Sequence, residues 1–144
     1  MVEQNLVSSK YGDKNRLIWR DETVFQGAGV GVDDPAYDTL LFLDRDYDVR
    51  SLDAVSVALE NIGANSVDYT ILGATKDFAA EAMDTDLVDA DFSEVLAAEA
   101  AIVATAKATF TLVRATPEIT AIRIRAKETV AASASTLRGD VRGF

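Results

Sequence analysis

The chain predicts an all-β fold: a single antiparallel β-sandwich, jelly-roll-like, with an extended arm at its N-terminus. Three observations lead there. Apolar residues recur at every second position over much of the chain. Turns rich in Gly, Asn or Pro separate the alternating runs. No strand–helix–strand rhythm interrupts them. With 144 residues, 49% of them hydrophobic, the chain is long enough for one domain with a buried core.

Residues 1–20 are polar and aperiodic until Leu17, Ile18 and Trp19. They read as an arm anchored by those three residues, covering a sheet edge or reaching a neighbouring molecule. The sandwich then occupies 21–144. Gln26 to Gly31 contains three alternating glycines, but Asp33-Asp34-Pro35 follows where a phosphate-binding loop needs a helix. This segment reads as a loop or bulged strand. Leu40 to Leu43 is apolar at every position, as in a strand buried on both faces.

Val55, Val57 and Leu59 alternate with Ala54, Ser56 and Ala58, and Val67, Tyr69 and Ile71 alternate with Ser66, Asp68 and Thr70. Asn61-Ile62-Gly63-Ala64-Asn65 between them reads as a hairpin loop, which makes 54–72 a hairpin. Lys76 to Met83 has room for one or two helical turns. The Ala-rich stretch that follows predicts two strands, 93–97 and 100–113. Its alternative is a helix near 92–106, which makes the fold α+β. Phe110 and Leu112 alternate with Thr109 and Thr111, and Pro117 marks a turn. Ile122, Ile124 and Ala126 then face one way, and Arg123, Arg125 and Lys127 the other. In the last run, Thr136 to Phe144, Leu137 and Val141 oppose Arg138, Asp140 and Arg142.

Composition excludes several functions. The chain has no Cys and no His, so it has no thiolate or imidazole catalysis and no disulfide. A net charge of −10 argues against nucleic-acid and anionic-membrane partners. No apolar run approaches the ~18 residues of a membrane span, and the N-terminus lacks a secretory signal pattern. The chain is therefore expected to be made in the cytoplasm. Its 16 Asp exceed its 8 Glu, and its 9 Arg exceed its 5 Lys. Short carboxylates that keep a surface hydrated in molar salt point to a halophilic source. Residues 77–106 hold eight acids and no base, whereas 107–144 hold seven bases and three acids. That asymmetry suggests complementary contact between subunits, with Arg123, Arg125 and Lys127 as the polar contact face.

Asp44-Arg45-Asp46-Tyr47-Asp48 opens like a calcium loop, but Val49 and Val55 stand where its Gly and Glu belong. A structural cation here, or at Asp84, Asp86, Asp89 and Asp91, is the only cofactor the sequence suggests. Trp19, Tyr37 and Tyr47 offer an aromatic platform for a sugar. Paired carboxylates carry no information in a chain with 24 acids. No catalytic residue is predicted, and the chain is not expected to be an enzyme.

The segment Val55 to Gly73, VSVALENIGANSVDYTILG, resembles a strand–turn–strand unit of small virion proteins from tailed phages and haloarchaeal viruses. The C-terminal half is similar in layout: a Thr-rich strand, a Pro turn, the basic strand 119–127, a small-residue loop at 131–135 and a final strand ending VRGF. The resemblance spans roughly 50–144 and departs at 76–106. It implies a virion structural protein, such as a capsid decoration, turret, neck or tail component. As such it would assemble as a homo-oligomer and contact the major capsid protein or other virion proteins. It implies no catalytic residues. The alternative function is a ligand- or carbohydrate-binding β-sandwich module.

Overall fold

A computed structural model describes residues 19–21, 29–39, 46–79, 81–113 and 118–144. Leu17, Ile18, the 40–43 strand, Asp44 and the Pro117 turn lie outside them. In chain order the strands are β1 (Trp19–Asp21), β2 (Val30–Val32), β3 (Asp38–Thr39), β4 (Tyr47–Asp48), β5 (Ala54–Asn61), β6 (Val67–Ala74), β7 (Glu94–Ile102), β8 (Lys107–Val113), β9 (Ala121–Glu128) and β10 (Ser135–Gly143). They form two antiparallel five-stranded sheets. In sheet A, β1 and β2 lie end to end along β10, followed by β5 and β8. In sheet B, β3 and β4 lie along β9, followed by β6 and β7.

This is the strand order of an eight-stranded jelly roll whose first two strands are each split. The all-β expectation holds. The helix near 92–106 does not form: that stretch is strand β7 and the turn into β8. The break between the two strands falls at 103–106 rather than at 98–99. The only helical turns among the described residues are α1 (Met83–Asp86) and a 3-10 turn at Asp89–Asp91.

One local expectation is overturned. β5 and β6 do not pair as a hairpin: β5 pairs with β10 and β8, while β6 pairs with β9 and β7. The 62–66 loop arches from sheet A to sheet B. Each strand has its apolar face against the core, and an arch lets both bury that face against opposite sheets. A hairpin would have left them side by side in one sheet.

The alternation decides which side chains enter the core. Val55, Val57, Leu59, Leu137 and Val141 come from sheet A, and Val67, Ile71, Ile102, Ile122 and Ile124 from sheet B; all are buried. Each contributes about 1.5–3 kcal/mol of transfer free energy. A second, smaller cluster lies on the outer face of sheet B. There the acidic 75–93 segment folds down and packs Phe78, Leu87 and Phe92 against Ala74 and Ala121. The segment is a strap with its own apolar underside.

Candidate functional site

Two regions carry chemistry, and they sit at opposite ends of the sandwich. At the strap end, arginine holds the acidic segment down. Arg123 on β9 grips Asp46 with two parallel bonds, Nε at 2.7 Å and Nη2 at 3.0 Å, and its third nitrogen reaches Asp89 on the strap. Its guanidinium stacks 4.1 Å from the centre of the Phe92 ring. Its bonds to Asp46 hold the Arg123 guanidinium above its usual range. Arg50 repeats the pattern: it bonds Asp48 and Asp77 and stacks 3.8 Å from the Phe78 ring. Asp77 is held below its ordinary carboxylate range by Arg50. Two further strap carboxylates are engaged: Asp86 accepts from the Ala79 amide, and Asp91 from the Val88 amide.

The other two bases of the predicted contact face are likewise met within the chain. Tyr37 lies over Arg125 and Lys127, with ring centroids 5.3 and 4.8 Å from the cations. Its hydroxyl donates to Glu99 at 2.6 Å, and Lys127 reaches Glu99 at 3.5 Å. Burial, then the bond to Glu99, pushes the Tyr37 phenol well above its ordinary range. Acidic and basic segments thus complement each other inside one molecule. No three metal-ligating side chains cluster among the described residues. The aromatic platform is not assembled: Tyr47 is in the core. Of the predicted arm anchors, Trp19 opens β1, its backbone opposite Gly143 on β10.

The opposite end is built from three loops: 62–66, 103–106 and 129–134. All three are arches between the sheets, and none of their residues is charged in a chain that is 26% charged. They enclose a shallow concavity of about 480 Å³ lined by Asn65, Ser66, Val103, Thr129, Val130 and Ser133. Val103 and Val130 flank it, 58% and 63% exposed. Ile62 is a third exposed apolar side chain on these loops. Asp33 and Asp34, exposed beyond β2, form an acidic rim, with the Asp34 carbonyl accepting from the Glu128 amide. An apolar patch with a polar rim is the usual composition of a contact surface.

One buried side chain holds these loops together. Asn61, fully buried at the end of β5, donates from Nδ2 to the carbonyls of Asn65 (2.7 Å) and Ile102 (2.8 Å). Its Oδ1 accepts from the Gly63 amide (3.0 Å) and the Ser135 hydroxyl (2.7 Å). All four bonding positions of the carboxamide are filled, and the partners belong to the 62–66 loop, β7 and β10. Gly63 must be glycine for space: a Cβ there would stand 2.6 Å from the Thr136 nitrogen. Sequence reasoning read Asn61 and Gly63 as turn residues; the absence of charge from three separate loops was the signal that could have found this end. Comparison with protein-family models, curated proteins and solved structures finds no match.

Proposed function

We propose that this chain is a virion structural protein, a capsid decoration, turret or other head or tail component of a haloarchaeal tailed virus, assembling as a homo-oligomer on the particle. The observation that carries this reading is the segregation of charge along the sandwich. One end is a platform of three arches whose own residues are uncharged, and the other is an acidic strap held by Arg50 and Arg123. A subunit with a net charge of −10 docks through loops that carry no charge, inside the rim of Asp33 and Asp34, and presents most of its carboxylates to salt water. The occupant of the uncharged end is then the virion shell. The jelly-roll order supports the reading by analogy, since viral capsid domains use it, as do lectins. A passive structural role also fits basic side chains such as Arg50, Arg123, Lys127 and Arg138, which are paired with carboxylates of the same chain.

A carbohydrate-binding role draws no comparable support, because Tyr47 is buried and cations cover the Tyr37 ring. The test is quantitative peptide mass spectrometry on gradient-purified virus particles, with the chain normalised to the major shell protein. A ratio close to the shell protein places it on the capsid lattice. A few copies per particle place it at the neck, tail or one vertex. Absence from particles, with the chain present in cells, overturns the reading.

A further inference from the structure

We infer that two copies of this chain pair antiparallel, edge to edge, through β8, so that sheet A continues from one copy into the next. The pairing deepens the homo-oligomer proposed above and rests on it for its setting, while its geometry stands on β8 alone. Asn61 N donates to Ala106 O at 2.9 Å, so Asn61 and Ala106 form a hydrogen-bonded pair. Counting along the ladder by twos, the amides of Ala108, Phe110 and Leu112 turn toward β5. The N–H and C=O groups of Lys107, Thr109, Thr111 and Val113 therefore point away from it. Among the described residues no strand takes them up.

The outer edges of the sandwich differ in how they are guarded. On the far side, β1 to β4 are each two or three residues long among the described residues. β7 is nine residues long, but its register with β6 shifts at two places and it carries Glu94 and Glu99. Short strands, irregular register and charge all discourage edge pairing. β8 has fewer of these defences: its seven residues keep an unbroken register with β5 and include no acid. Its single cation, Lys107, is already held by Glu60 at 3.3 Å.

The strand is also complementary to itself. A two-fold axis at Phe110 sets Thr109 opposite Thr111 of the second copy, and Lys107 opposite Val113. Every outward amide then meets an outward carbonyl. Threonines pair across the solvent face, while Phe110 meets its counterpart and Leu112 meets Ala108 on the core face. A shift by two residues either way leaves an end of the strand unpaired. Two copies of a strongly acidic chain meet here with the least repulsion, because the strand carries no carboxylate.

The test uses the full chain in about 1 M salt, where surface repulsion is screened. Sedimentation velocity is expected to give a concentration-dependent species of twice the 15.5 kDa chain mass or a multiple of it. Hydrogen exchange followed by NMR gives the fingerprint. The amides of Lys107, Thr109, Thr111 and Val113 slow by about tenfold or more as dimer forms, while Ala108, Phe110 and Leu112 are slow throughout. Thr111→Pro removes an outward donor and leaves the β5 ladder intact, so the expected product is a folded monomer. Should that variant misfold, Thr109→Lys with Thr111→Lys sets cation against cation on the solvent face. Mixing it with Thr109→Glu, Thr111→Glu then restores pairing. A wild-type monomer at every concentration overturns the inference, as does an oligomer whose alternate β8 amides do not slow. These readouts are independent of particle composition, so the virion reading can fail while the pairing stands.

Discussion

Replacing Asn61 with Ala removes one carboxamide and leaves four polar groups without their partner. The cost is set by how many of those groups water can reach. The Asn65 carbonyl and the Gly63 amide belong to the 62–66 loop, and their bonds to Asn61 are only part-buried. Solvent can replace those bonds at little cost. The Ile102 carbonyl and the Ser135 hydroxyl are bonded in the buried interior. Each stranded buried group costs about 1–3 kcal/mol, the hydroxyl less because it can rotate. The expected destabilisation is therefore about 3 kcal/mol. For a chain of this length that lowers Tm by roughly 10 °C. Urea unfolding followed by circular dichroism measures it, with the m-value unchanged from wild type. Asn65→Ala is the control. It loses one exposed bond, Nδ2 to the Ala134 carbonyl at 2.8 Å, and should cost less than about 1 kcal/mol. Equal costs for the two variants would refute the idea that Asn61 is the buried hub of the three arches.

Gly63→Ala drives a methyl group into the Thr136 backbone, so the 62–66 arch must lift from β10. The expected cost is about 1–3 kcal/mol, read by the same urea titration, with faster amide exchange confined to 62–66 and 135–136. Arg123→Lys keeps the charge but loses the fork on Asp46 and the stacking on Phe92. It should cost about 1–2 kcal/mol and speed proteolytic nicking within 75–93; an unchanged digestion rate counts against the strap. Glu60, Asp77 and Glu99 are all held below their ordinary range, by Arg138, by Arg50 and by the Tyr37 hydroxyl respectively. Their contribution to stability is full above the unfolded carboxylate range near pH ~4 and disappears as pH falls through their lower folded values. Melting temperatures that hold steady from pH 6 down to pH 2 would contradict this. Val103→Asp and Val130→Asp place carboxylates on the uncharged end. Both should leave the circular dichroism spectrum unchanged while reducing incorporation into particles, counted by mass spectrometry.

The sequence by itself determined which residues face inward. Alternation is a local property of an extended chain, so Val55, Val57 and Leu59, or Ile122 and Ile124, could be assigned to the core from spacing alone. At 94–102 strand and helix both stayed open in the sequence, and pairing with β6 decided for strand. Sheet membership was not local. Asn61 to Asn65 has the composition of a hairpin turn, and the same residues serve equally well as an arch between sheets. Only the demand that β5 and β6 each bury an apolar face against the other layer separates the two. Charge behaved similarly. The acidic and basic segments were visible as runs, but that they meet inside one chain depends on the strap folding over Ala74 and Ala121, which places Asp89 beside Arg123. Asn61 shows the limit most clearly. A turn asparagine and a buried hub read identically in sequence, because the partners that fill its four bonding positions include β7 and β10, brought to it only when the two sheets close.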